Sequence, residues 1–297
     1  MINKIRSEEN HVLLLDCGGF FSNRFFNATG KAIAGTGLKA ANLMGYTAMN
    51  TGPGEFSFGV NFLREKSAEL GFPLVASNLS YAEGISPFTK RYVITQAGGL
   101  KVAILGVMPP GILDKMPRSG TSGVAEVIPP VEALEALLPC IRKEADIVIL
   151  LSQLGLAETK IIVDGLKGID LAICGGKDRR PAGRCEKIEP ESPTGKSETP
   201  ALKASAGGTH LGYARLTVDD AGRVVMGRRE MIFLNDAVAM DDRILNITGK
   251  DIYKRIAEEK KRAAEEQRRE IEELRKLTPM EYMQKLLKEQ SKGGTNQ

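Results

Sequence analysis

The sequence has 297 residues, of which 42% are hydrophobic and 26% charged, with a formal net charge of +4. A chain of this length can bury a large core, and one large domain with an appendage is the expected organisation. Its basic residues are interleaved with acidic ones and no apolar run is long enough to cross a bilayer, which argues against nucleic-acid binding and against a membrane span.

The N-terminal residues do not have the pattern of a secretory leader. Residues 1–10 are polar, and the apolar run 12–15 is far shorter than a signal-peptide core. We therefore expect a cytoplasmic protein, or a periplasmic one if a leader was removed. The cysteines form no C-x-x-C pair, and a domain of this size needs no disulfide framework; they are Cys17, Cys140, Cys174 and Cys185.

Short β-branched runs alternate with helical patterns along most of the chain. The apolar runs predict strands at residues 12–15, 47–50, 74–76, 92–95, 102–107, 147–151 and 170–174. The amphipathic patterns predict helices at residues 31–44, 58–70, 131–144 and 158–166. This alternation predicts a layered α/β domain.

The pattern changes twice in the last third of the chain. Residues 179–202 are rich in Pro, Gly, Ser and Thr and predict a mobile surface loop, after which two antiparallel strands are expected at residues 204–219 and 223–233. From about residue 251 the composition favours a long charged helix. We expect one domain over residues 1–245 and a charged helical arm over residues 250–297.

Four motifs occur in an order that resembles a known family. They read LLLDCGG (13–19), MGYTAMNTGPGEFSFG (44–59), ADIVILLSQLG (145–155) and GIDLAICGGKD (168–178). Together with LGYARL (211–216) they resemble the calcineurin-like metallophosphatases of the 5′-nucleotidase (UshA-like) type over about residues 12–235. The resemblance implies a layered metallophosphatase-like β-sandwich flanked by helices, here with a C-terminal helical extension.

The family's chemistry depends on two metal ions held by Asp, Asn and His, with a bridging hydroxide attacking the phosphate. The corresponding positions in this sequence are Gly19, Pro53, Gly54, Gln153, Gly176 and Asp178. Only Asp178 is a plausible ligand, and one carboxylate does not make a two-metal site. We therefore expect no metal, no cofactor and a catalytically degenerate member of the family, working by binding or as a thiol-bearing subunit.

Two alternatives involve chemistry at the old site. Cys17 lies in the first glycine turn and Cys174 at the end of a later strand, so a thiol-redox role with a lowered thiol pKa is one alternative. The sequence also resembles a group of UshA-like (seleno)proteins, in which this first turn would be the natural place for selenocysteine. The competing interpretation is that both cysteines are small buried hydrophobes. A residual hydrolase of phosphate or sulfur esters, with a rebuilt site, is a further alternative.

Two charged segments are candidates for binding. Lys177, Arg179 and Arg180, with Arg184, could hold a small anion beside glycine-rich backbone, although a solvated basic loop is the simpler interpretation. The C-terminal helix could bind a protein partner or lie on its own domain. His11 and His210 are isolated and predict no catalytic role, and Cys140 is expected to pack inside its helix.

Overall fold

The computed structural model describes residues 1–21, 28–111, 113, 124–176, 199–203, 207–220, 222–276 and 280. The chain divides into two compact units, Met1–Ile247 and Thr248–Gln297. Among the helices described there, none is long and apolar enough to cross a membrane.

The described residues form helices that run before, between and after the strands. They are α1 (Ile2–Glu8), α2 (Ala28–Met44), α3 (Val60–Ser67), α4 (Pro130–Glu144), α5 (Leu156–Gly165) and α6 (Asp242–Lys276), with a 3₁₀ turn at Glu55–Phe58 before α3. Pro130 opens α4 at a position where a missing backbone N–H costs nothing, because first-turn N–H groups have no partner within the helix.

The strands of the first half are β1 (Leu15–Asp16), β2 (Ala48–Asn50), β3 (Leu74–Val75), β4 (Leu79–Tyr81), β5 (Tyr92–Ala97) and β6 (Leu100–Val107). Those of the second half are β7 (Val124–Val127), β8 (Ile147–Ser152), β9 (Leu171–Cys174), β10 (Ala201–Lys203), β11 (His210–Val218) and β12 (Val224–Phe233). They form a sheet of order β1-β2-β3, a sheet of order β10-β9-β8-β6-β5, and two antiparallel pairs, β11-β12 and β4-β7.

Three apolar clusters arrange these elements in layers. One cluster packs α4 and α5 on the five-stranded sheet, through residues such as Leu134 and Leu150. A second packs α2 and α3 on the β1-β2-β3 sheet, through residues such as Leu38 and Met49. The third lies between the sheets and also receives Leu216 of β11. The sheets are thus stacked on each other with helices outside, because each sheet has two apolar faces to cover.

The structure confirms the layered α/β fold and most predicted elements, with β8 buried along its whole length as its unbroken apolar run indicates. The first predicted strand was wrong in its bounds: β1 starts at Leu15, because its neighbour β2 begins opposite it at Ala48. The helix predicted at 58–70 is only Val60–Ser67, because Gly59 has a φ of +83° and separates it from the 3₁₀ turn.

Other boundaries also differ from the prediction. The predicted loop 179–202 ends earlier, because β10 pairs in parallel with β9 from Ala201 onward, and the following strand begins at His210 rather than 204. The last long helix begins at Asp242, not near residue 251, because Asp241 accepts a hydrogen bond from the N–H of Arg243 and caps it. Helix α1 and strands β4, β7 and β10 were not predicted.

Candidate functional site

Four turns of the layered core meet at one place. Residues 17–19 follow β1, residues 51–54 follow β2, residues 153–155 follow β8, and residues 175–176 follow β9. β1 is parallel to β2, and β8 is parallel to β9, so within each pair the carboxyl ends lie at the same edge. Such edges are where open α/β sheets place their ligands.

The side chain of Gln153 occupies the centre of these turns, where it is only 6% exposed. A methyl group built on Gly19 would lie 2.6 Å from Gln153 Nε2, and one built on Gly52 would lie 2.6 Å from Gln153 Cγ. A methyl group on Gly175 would lie 3.0 Å from Gln153 Oε1. The space between the turns is therefore filled by one amide side chain.

Two further glycines are required by close backbone approaches. A methyl group on Gly54 would lie 2.8 Å from the carbonyl oxygen of Phe21, and one on Gly176 would collide with the carbonyl oxygen of Gln153. Because both obstacles are main-chain atoms, a larger side chain at either position requires the backbone to move. The turns are therefore packed too closely at Gly54 and Gly176 for any residue other than glycine.

The structure brings together most of the site residues predicted from the sequence. Contacts between the turns join Cys17, Gly19, Gly54, Gln153 and Gly176, and Pro53 lines the same cleft. The other predicted residues lie outside the described part of the chain and stay predictions: Lys177, Asp178, Arg179, Arg180, Arg184 and Cys185.

Glu55 is a buried carboxylate that the sequence prediction missed. Its Oε2 accepts hydrogen bonds from the N–H groups of Gly19 (2.8 Å) and Gly52 (2.7 Å), and its Oε1 accepts one from Phe20 (2.6 Å). Burial raises the pKa of Glu55 to about 7, while these hydrogen bonds oppose the rise and the charge of Asp16 adds to it. One side chain thus ties the first glycine turn to the second.

Asp16 is the second perturbed acid at the site. Its Oδ1 accepts a hydrogen bond from the N–H of Gly18 at 2.8 Å. Burial raises the pKa of Asp16 to about 6, and the hydrogen bond from Gly18 only partly offsets that rise. Both carboxyl groups are therefore easier to protonate than exposed ones.

Cys17 does not have the environment of a reactive thiol. It is 5% exposed, and its S–H donates a hydrogen bond to the carbonyl of Ile173 at 3.1 Å. Burial, the charge of Asp16 and the nearby thiol of Cys174 raise the pKa of Cys17 well above its ordinary value. The expectation of a lowered pKa was wrong, because desolvation outweighs the backbone N–H groups that approach the sulfur.

The remaining cysteines divide into one buried and one exposed thiol. Cys174 is fully buried at the end of β9, as the packing interpretation implies. Cys140 is exposed on α4, so the expectation that it packs inside was wrong. Buried residues of that helix include Leu137, Leu138 and Ile141, which share the face that packs into the core.

The residues present do not fit the two-metal centre that the sequence resemblance implies. Gly19, Pro53, Gly54 and Gly176 offer no side-chain ligand, and the neutral amide of Gln153 is a weak one, whose buried Oε1 accepts no hydrogen bond from the described residues. Within the described ranges, no three His, Cys, Asp or Glu side chains lie close enough together to hold a metal ion.

Asn50 is a second structural residue that the sequence prediction missed. Its Nδ2 donates to the carbonyl oxygens of Cys17 (3.1 Å), Val107 (2.9 Å) and Leu151 (3.2 Å), so it joins three strand ends. The sequence did carry a signal for Glu55. In a capping box, a Glu three residues after the capping residue accepts a hydrogen bond from the backbone N–H of that residue. Nothing local distinguishes Asn50 from an ordinary turn residue.

No protein-family model matches the chain. Curated relatives include the 5′-nucleotidase of Rattus norvegicus, 29% identical over 265 residues that cover 82% of this chain and 44% of that protein. They also include the trifunctional nucleotide phosphoesterase YfkN of Bacillus subtilis, 28% identical over 75% of this chain and 17% of that protein. The chain thus spans less than half the length of these relatives.

Solved structures share the fold over most of the chain. The calcineurin-like phosphoesterase YfkN from Bacillus subtilis matches with a TM-score of 0.66 and 22% identity over 86% of both chains. A putative 5′-nucleotidase from Staphylococcus aureus matches with a TM-score of 0.67 and 18% identity over 85% of this chain and 51% of that one. The sequence relatives and the shared fold agree, and together they support the calcineurin-like 5′-nucleotidase (UshA-like) superfamily for this chain.

Proposed function

We propose that this chain is a catalytically degenerate member of its superfamily, which acts by binding rather than by metal-dependent hydrolysis. The observation that carries the proposal is the position of Gln153. Its side chain fills the space between four glycine-containing turns, where metal-ligating side chains would have to converge. A shared fold does not imply a shared activity when the residues of the site differ.

The hydrogen bonds of Glu55 support the same proposal. A phosphate bound at glycine turns is held by backbone N–H groups. Here the N–H groups of Gly19, Phe20 and Gly52 already bond to the Glu55 carboxylate, which stands where an external anion would otherwise accept them. A phosphate ester would have to displace a buried side chain, and an ionised Glu55 would repel it.

The thiol-redox alternative is weakened by the burial of Cys17, which raises the pKa of its thiol. The residual-hydrolase alternative lacks ligands among the described residues. Binding of a small anion by Lys177, Arg179 and Arg180, and of a protein partner by the C-terminal helix, remain part of the proposal as candidate binding modes.

The test is metal content together with turnover. Protein purified without chelator is analysed for Mn, Zn, Fe, Co and Ni, and hydrolysis of a generic phosphate ester and of AMP is then measured with added Mn²⁺ or Zn²⁺. Bacillus subtilis YfkN, prepared in the same way, is the active control. We expect substoichiometric metal and no turnover above a Gln153→Ala variant. Stoichiometric metal with chelator-sensitive turnover would overturn the proposal.

A further inference from the structure

Charged side chains follow a regular pattern along α6. Three sets of residues carry the signs plus, minus and plus at spacings of four: Lys254–Glu258–Arg262, Lys261–Glu265–Arg269 and Arg268–Glu272–Lys276. Each set begins seven residues after the one before it, and all of them lie within one continuous helix. Because residues three, four and seven apart share a helical face, these side chains form one charged stripe along α6.

Every acid of the charged stripe has a base one turn before it and one turn after it. Residues four apart on a helix are neighbours, so opposite charges at this spacing stabilise the helix and like charges destabilise it. The Nζ of Lys261 and the Oε1 of Glu265 lie 4.0 Å apart, and both side chains are largely exposed. One exposed pair contributes little by itself, but a repeated series of such pairs adds up along one helix.

Among the described side chains of residues 254–276, none is buried. All of them are exposed, including the apolar side chain of Ile271 at 44%. Ala, Glu, Lys and Arg dominate this stretch, and they are strong helix formers. A helix in water is nevertheless marginal on propensity alone, because its first turn is costly to form. The charged stripe supplies further stabilisation that requires no apolar contact.

We propose that residues 254–276 are a self-supporting helix, which the charged stripe keeps helical without packing on a domain or on a second chain. At about 1.5 Å per residue the stretch is about 34 Å long. Such a helix is a stiff spacer, and a partner protein that binds it meets a helix that is already formed. The partner then does not have to supply the free energy of ordering this segment. The inference goes beyond the proposed function, because it does not depend on whether metal binds at the glycine turns.

The experiment changes the pattern of charge in the full chain. A reversal variant carries Glu258→Lys, Glu265→Lys and Glu272→Lys, so that each set of the stripe becomes entirely positive. The matched control, an inversion variant, has Glu for every base and Lys for every acid from residue 251 to residue 276. It keeps each attraction and repulsion within the stretch while reversing every sign. Glu, Lys and Arg have similar helix propensities, so the two variants differ mainly in charge pattern.

Hydrogen exchange is measured for the wild type and both variants, at two protein concentrations about tenfold apart. We expect amides of residues 258–272 to exchange at least about fivefold faster in the reversal variant than in the wild type. In the inversion variant they should stay within about twofold of the wild type. Amides of β8 should not change in either variant. The difference between wild type and reversal variant should shrink in about 1 M NaCl, where exposed charges are screened beyond about 3 Å.

Three results would overturn the proposal. Equal exchange in the wild type and the reversal variant would mean that packing or intrinsic propensity, rather than the charged stripe, decides whether the segment is helical. Equally fast exchange in both variants would mean that particular residues matter and their charge pattern does not. Protection that rises with protein concentration would mean that a second copy of the chain supplies the stability.

Discussion

Replacing Glu55 with Gln should change how the stability of the protein depends on pH. Burial raises the pKa of Glu55 from 4.5 to about 7. The folded state therefore binds this proton more tightly than the unfolded state, and the associated stability is fully present below pH 4.5 and lost as pH rises through 7. Raising this pKa from 4.5 to about 7 corresponds to about 3 kcal/mol of stability.

The substitution also has a cost that does not depend on pH. Glu55 accepts three backbone N–H bonds, and a Gln side chain presents an NH₂ group to one of those donors. A buried N–H left without an acceptor costs about 1–3 kcal/mol. Wild type should therefore be much more stable than the variant at pH 4.5, and this advantage should shrink by about 3 kcal/mol by pH 8.

Urea unfolding followed by far-ultraviolet circular dichroism measures both quantities, at half-unit steps from pH 4.5 to 8.5. Glu135→Gln, at an exposed position of α4, is the control for losing a carboxylate. The reasoning is refuted if the difference between wild type and Glu55→Gln stays constant across this range. A difference that grows with pH would show that the three N–H bonds lower the pKa rather than burial raising it.

Three other substitutions or labelling experiments test the described contacts. In native protein, iodoacetamide should modify exposed Cys140 at least about tenfold faster than Cys17, whose thiol is buried and has a raised pKa; equal rates by mass spectrometry would contradict the burial of Cys17. Asn50→Leu should lower the free energy of unfolding by about 3 kcal/mol, because the carbonyl oxygens at three strand ends then lose their hydrogen-bond donor. Gly18→Ala should destabilise by at least about 1 kcal/mol more than Gly99→Ala in urea unfolding. Both glycines have positive φ, but only Gly18 has backbone within 3.0 Å of the added methyl.

The sequence predicts the fold well because the fold depends on patterns that repeat. The unbroken apolar run of β8 and the amphipathic period of α4 each report which faces are buried, and burial decides these elements. Short edge strands carry less information. β10 has only three residues and is fixed by pairing with β9, so neighbouring residues in the sequence could not reveal it.

The position of the site is predictable from the sequence, but the contacts and pKa values of its side chains are not. Strand-end turns meet because parallel strands bring them to one edge, so placing Cys17, Gly19 and Gln153 together needed only the topology. The pKa of Cys17 could not be predicted in this way, because its direction depends on how completely neighbouring strands exclude water. The three carbonyls that meet at Asn50 come from positions up to 101 residues away, and no local signal records them.

Two internal side chains lie among the glycine turns. The amide of Gln153 fills the volume between the turns, and the carboxylate of Glu55 bonds their N–H groups. On the proposed function, a single His placed at Gly54 would not make a metal site, because its Cβ would lie 2.8 Å from the carbonyl oxygen of Phe21. Among the described residues, no three His, Cys, Asp or Glu side chains lie close enough together to hold a metal ion. The proposed function therefore implies that metal chemistry would require several simultaneous changes, including movement of the backbone, so single substitutions at these turns should destabilise the fold before they create any activity.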